Sequence, residues 1–204
     1  MSFNISSYGH LNRNAVLRIE ETLNRALQEY PRTLVLRVDL RLPDFNQYDS
    51  TLMTRFIVSL KTQVNADLHR RKKSGSRVHP CHVRHIWARE TGLSGRKHYH
   101  VALFFNHDSY CGPGRYSPEG ERYRHNLALM IMEAWVRALR LEHFNHYQQY
   151  YSLVEFTAKP YHALNIKSPY FETDYQEVKE RLLYLAKEFS KSSDGFRNFG
   201  YSQS

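Results

Sequence analysis

The order of amphipathic segments predicts an α+β fold with a βαββαβ core. In it an antiparallel sheet carries helices on one face, preceded by an N-terminal helix and followed by a C-terminal one. Three observations carry this. "TLVLRVDLRLP" alternates apolar and polar residues, the mark of a half-buried strand. Four longer stretches repeat their apolar residues at helical spacing. "CHVRHIWARE" and "HYHVALFFN" are β-rich runs joined by a short loop holding Gly92 and Gly95, which reads as a hairpin. Strands and helices in this order form the split βαβ arrangement of RRM- and ferredoxin-like domains.

Each element has its own signal. Asn12 to Tyr30 is predicted helical, with Val16, Ile19, Leu23, Ala26 and Leu27 on one stripe and Pro31 as the stop. Leu34, Leu36, Val38, Leu40 and Leu42 fall on one face of the first strand. Asp49 or Ser50 can cap a helix running to Lys72, where cations on the last turn complement the helix dipole and Gly75 follows. "RHNLALMIMEAWVRALRL" predicts another helix, and "YYSLVEFTA" a strand ending before Pro160, with Pro160 to Phe171 an irregular loop. "TDYQEVKERLLYLAKEFSK" predicts the last helix, with Asp174 and Glu177 at capping-box spacing. Trp87 and Trp135 are expected in the core. The organisation expected is an N-terminal helical extension over 1–32, a core domain over 33–191 and a loose tail over 192–204.

Composition narrows the function classes. The net charge is +9, and the excess lies more in Arg than in Lys, which favours a polyanionic partner because guanidinium forks onto phosphate. No stretch reaches the roughly 18 apolar residues a membrane span requires, so no membrane partner is expected. Cys81 and Cys111 are too few for a disulfide framework or a cysteine zinc site. A cytoplasmic nucleic-acid-binding protein is the expectation.

Two short patterns could carry chemistry. His98 and His100 share one face of their strand. If the hairpin loop centres on Ser94, Glu90 stands opposite His98, and cross-strand partners point to the same side. Two imidazoles and a carboxylate then suit a divalent ion with open positions, Mg²⁺ or Mn²⁺. On the last helix the apolar stripe is Val178, Leu182, Leu185 and Phe189, while Tyr184, Lys187 and Lys191 lie away from it. A lysine beside a phenol favours the phenolate. His-x-His and Tyr-x-x-Lys each arise about 0.7 times by chance in this composition, so only their conjunction is informative. Ordinary strand histidines and a surface tyrosine remain the bland readings. His79, His82 and His85 do not form a zinc set, because alternation separates His82 from His85. Asp39 sits between Arg37 and Arg41 as part of a charge ladder, or looks into the site if that face is the open one.

The order "LVLRVDL", "HYHVALFF", "YLAK" resembles the three motifs of HUH endonucleases, the rolling-circle replication initiators, and within them the inovirus-type replication proteins of phages and prophages. That resemblance implies a five-stranded sheet with the histidines on its central strand, of which four strands are legible. It implies His98, His100 and Glu90 as metal ligands, Tyr184 as nucleophile and Lys187 as its helper. The implied activity is metal-dependent nicking and strand transfer on single-stranded or hairpin DNA at an origin, through a 5′-phosphotyrosine link, in a bacterial host. Arg70, Arg71, Lys72, Lys73, Arg96, Lys97 and Lys191 are the expected DNA-binding cations. No Gly-x-x-x-x-Gly-Lys-Ser/Thr loop is present, so a host helicase and polymerase would be partners. The alternatives are a non-catalytic DNA- or RNA-binding module and a regulatory protein of a mobile element.

Overall fold

In a computed structural model of the chain, the described residues are 8–43, 49–92, 97–116, 126–188, 195 and 197–203. Asn12 caps the first helix, α1 (Arg13–Glu29), by accepting from the Ala15 amide at 3.0 Å. Strand β1 (Arg32–Arg41) follows, then helix α2 (Leu52–Lys73). Asp49 precedes α2 rather than capping it, holding the Thr51 amide at 2.7 Å and Arg55 at 2.7 Å. Beyond α2, Gly75 takes the left-handed φ of +83° that ends a helix at little cost. The hairpin strands are β2 (Arg84–Thr91) and β3 (Lys97–Asn106), followed by α3 (Leu127–Ala138).

The sheet order is β4-β1-β3-β2-β5, every pairing antiparallel, with β4 at Val154–Asn165 and β5 at Phe199–Tyr201. Strand β3 is therefore the middle strand. The apolar face read from β1 packs Leu34, Leu36, Val38 and Leu40 against α2 and α3, with Trp135 wholly buried and its Nε1 donating to the Arg41 carbonyl at 2.9 Å. Trp87 lies in the same core. The opposite face is only partly covered. Val35, Ala102 and Phe104 meet α1 and the last helix, α4 (Phe171–Leu183), through Ile19, Leu23, Val178 and Leu182. Side chains this buried each contribute about 1.5–3 kcal/mol, so α1 is part of the core.

Three local expectations are corrected. Strand β4 runs through Pro160 to Asn165, because residues 157–160 bulge out opposite Arg37 while pairing resumes at Tyr161 with Leu36. Proline is tolerated at such an irregularity on an edge strand. Residues Tyr147–Leu153 form a 3-10 segment instead of the start of that strand. The tail expected to be loose supplies the fifth strand: Trp87 pairs with Gly200, and the Ser202 amide donates to the His85 carbonyl. Among the described residues no helix is long and apolar enough to cross a membrane.

The last helix also differs. It starts at Phe171, so Asp174 and Glu177 form no capping box, and Glu177 instead pairs with Lys159 at 2.6 Å. It stops at Leu183, and Tyr184–Ala186 form one 3-10 turn that leads into extended backbone at Lys187. The cause is a long-range pairing. Leu11 bridges to Lys187, the Asn12 amide donates to the Ala186 carbonyl at 2.9 Å, and the Glu188 amide donates to the His10 carbonyl at 3.1 Å. These bonds replace helical ones and pull the chain off the helix axis.

Candidate active site

The hairpin has the register expected of a loop centred on Ser94: Glu90 opposes His98, and Ala88 opposes His100. The side chains of Glu90, His98 and His100 all point to the α1/α4 face. Their donor atoms lie within 4.8 Å of one another, the one such group among the described residues. His98 Nε2 is 3.1 Å from His100 Nε2, and His100 Nε2 is 3.3 Å from Glu90 Oε2. Glu90 and His100 are buried and His98 is partly exposed, so the cluster has a dry floor and one wet side.

Strand β1 completes it. Its register places Asp39 opposite His100, and the Asp39 carboxylate lies 2.6 Å from His100 Nδ1. A carboxylate there accepts a hydrogen bond from Nδ1–H, which fixes the proton on Nδ1 and leaves the Nε2 lone pair aimed at the cluster, the usual orientation of a metal-binding imidazole. Burial would raise the Asp39 carboxyl, but the hydrogen bond and charge of His100, with Arg37, hold it below the ordinary range. Burial would lower His100, yet Asp39 and Glu90 raise it. A buried imidazole between two carboxylates needs a positive charge at its centre, whether a proton or a cation. Two imidazole nitrogens and one carboxylate oxygen at these separations, backed by Asp39, fit a divalent ion with open positions.

Tyr184 reaches the same place from the 3-10 turn. Its ring meets that of His100 edge-on, with centroids 5.0 Å apart. Arg37 lies 5.0 Å and the Lys187 ammonium 4.3 Å from the Tyr184 ring centre. The phenol is not acidified. Burial and the Glu90 charge raise its pKa, against a smaller lowering by Arg37. The Lys187 ammonium sits over the ring as a cation–π partner.

Two neighbours escaped the sequence reading. Tyr8 packs edge-on against Tyr184 at 5.6 Å, and Lys187 is 5.9 Å from its ring. Arg37 reaches Asp39 at 3.6 Å and His100 Nδ1 at 3.5 Å. Alternation along "RVDLR" already puts Arg37 and Asp39 on one face, but nothing local signals Tyr8.

The expected DNA-binding cations scatter. Arg70 and Arg71 pair with the buried Asp67, and Arg71 also donates to the Ser109 carbonyl at 3.0 Å. Ser109 lies just past the end of β3, and His98 near its start, a separation of about 26 Å along the strand. The exposed Lys72 and Lys73 share that distant end. Lys97 alternates to the α2/α3 face, away from His98. Arg96 and Lys191 lie outside the described residues, as does Phe189. His82 pairs with Glu29 at 2.6 Å, the His79 carbonyl accepts from Ser109, and His85 contacts Ser202, so these histidines share no ligand site.

Comparison with known proteins places the chain among relatives of matching length. It is 34% identical to the uncharacterized protein YagK of Escherichia coli (strain K12), covering 92% of this chain and 93% of that one. It is 32% identical to the uncharacterized protein YfjJ of the same organism, covering 91% and 92%. No solved structure matches it. The match to the YagK/YfjJ C-terminal domain spans residues 2–202, and the chain belongs to that family.

Proposed function

We propose that the protein is a metal-dependent endonuclease that nicks single-stranded or hairpin DNA and transfers the strand through Tyr184. The observation carrying this is the juxtaposition of the Tyr184 ring and the Glu90/His98/His100 cluster on one face of the sheet. Residues 84 positions apart in the chain share no structural need to meet there. Support also comes from the Arg37 and Lys187 cations, which flank the phenol where a phosphodiester would enter.

The Tyr184 oxygen attacks the phosphorus and the P–O3′ bond breaks, leaving a 5′-phosphotyrosine link and a free 3′-hydroxyl. The phenolic proton is released and the departing 3′-oxygen takes one up. Because a phosphodiester replaces a phosphodiester, a 3′-hydroxyl can later reverse the step. His98, His100 and Glu90 would hold Mg²⁺ or Mn²⁺, which supplies positive charge to the phosphate oxygens when bound. Asp39 orients His100, and Arg37 and Lys187 hold the phosphate near the phenol. An origin of a phage, prophage or plasmid would be the substrate, with host helicase and polymerase as partners in the bacterial cytoplasm.

Incubation with labelled single-stranded oligonucleotides and Mn²⁺ should yield a protein–DNA adduct that survives denaturation. The adduct should vanish in Tyr184→Phe and with chelator. Nicking retained by Tyr184→Phe would remove the assigned nucleophile. A non-catalytic binding module would instead hold DNA equally well without metal.

A further inference from the structure

A groove of about 680 Å³ opens between α1 and β5, on the same side of the sheet as the metal cluster. Arg18, Arg197, Phe199, Tyr201, Asn12 and Asn14 are among its lining residues. Ala88 is the register partner of both His100 and Phe199, so cluster and groove lie in one row across β3, β2 and β5. Two strand spacings separate His100 from Phe199, about 10 Å. Asn12 forms the shared wall. It lines the groove, its amide bonds Ala186, and its side chain donates to Glu188 at 3.2 Å beside the Tyr184 turn.

The lining chemistry is specific in kind. Phe199 and Tyr201 lie 6.1 Å apart at an interplanar angle of 37°, two adjoining ring surfaces. The Arg18 guanidinium stands 5.3 Å from the Tyr201 ring centre, and its acidic neighbour Glu21 is already paired with it at 2.8 Å. Arg197 is exposed at the edge, its Nε–H donating to the Phe199 carbonyl at 2.6 Å while its guanidinium carbon stands 5.8 Å from the Trp87 ring centre on the α2 side. Rings for bases, the Arg18 guanidinium for phosphate and the Asn14 amide for base edges form the set that grips an unstacked strand. A duplex needs a projecting helix or ribbon to enter its groove, and this recess has none among the described residues.

We propose that this groove binds single-stranded DNA adjoining the phosphodiester at the metal cluster, a subsite whose link to cutting rests on the nicking reading but whose capture of DNA does not. The test uses the full-length Tyr184→Phe protein in chelator, so chemistry plays no part. A benzophenone photocrosslinker replaces Leu17, which is 56% exposed on the groove rim, or Phe144, which is 54% exposed just before the 3-10 segment that leads to β4, the sheet edge opposite β5. A labelled single-stranded oligonucleotide should crosslink from Leu17 and stay at background from Phe144. Arg18→Glu should weaken binding about tenfold and flatten the salt dependence by about 0.7 in log–log slope. Equal crosslinking from both positions, competition by duplex as strong as by single strand, or unchanged affinity in Arg18→Glu would each overturn the subsite. Leu17 crosslinking, with no adduct formed in Mn²⁺ by the protein that retains Tyr184, would remove the nicking reading and leave this one standing.

Discussion

Asp39 and His100 face each other across the β1–β3 ladder, with carboxylate and Nδ1 2.6 Å apart, and this contact sets the direction in which His100 offers its other nitrogen. Asp39→Asn removes the carboxylate and permits the wrong tautomer. Mn²⁺ affinity, read by calorimetry, should fall about 10- to 100-fold while the fold is retained. An unchanged affinity would show that His100 is oriented by other means.

The N-terminal arm should matter for turnover more than for DNA capture. Residues 10–12 hold the Lys187 segment through backbone bonds, and Tyr8 packs on Tyr184. Tyr8→Ala frees the Tyr184 ring and should lower the rate of adduct formation about tenfold or more, with DNA affinity little changed. Tyr8→Phe keeps the ring contact and should restore the rate. Loss of affinity in parallel with rate would make Tyr8 a DNA contact instead.

Docking of β5 should weaken in acid. Burial above all, with the nearby charges of Lys61 and Arg197, lowers His85 from 6.5 to about 4. The Ser202 hydroxyl contacts His85 Nδ1 at 3.0 Å and lies 2.9 Å from the His85 amide nitrogen, tying the C-terminal strand to β2. The folded state binds the His85 proton less readily than the unfolded chain does. Its contribution is therefore complete above about pH 6.5 and is lost as pH falls towards 4, on the order of 3 kcal/mol at most. Urea unfolding at stepped pH, with hydrogen exchange at residues 199–202, measures this. Stability flat from pH 7 to 4.5 would contradict it.

Gly200 allows the close approach of Trp87. A β-carbon at Gly200 would fall well inside contact distance of the Trp87 indole. Gly200→Ala should cost about 1–3 kcal/mol in chemical denaturation, because Trp87 must move out of its core position. A cost within experimental error would mean that β5 shifts easily on its edge.

Much of the architecture can be read from periodicity alone. The alternation of Leu34 to Leu40, the stripe of Ile19 and Leu23, and the Glu90–His98 register all depend on neighbours close in the chain. Pro160 misled that reading because its missing N–H is harmless at a bulge, and a bulge leaves no pattern in sequence. The three residues of β5 are too few to show alternation. The last helix looked continuous through Lys191 because its own stripe continues, while the bonds that end it come from residues 10–12.

The sequence by itself determined the α+β class, the hairpin carrying the two histidines and glutamate, and the basic charge, since each follows from short-range alternation or from composition. Only the tertiary structure decided that Asp39, Arg37 and Tyr8 join Tyr184 at that cluster, and that the Arg70–Lys73 run stands at the far end of the sheet. Those outcomes depend on which strands pair and where helices pack, contacts between residues 38 to 176 positions apart that no local spacing encodes.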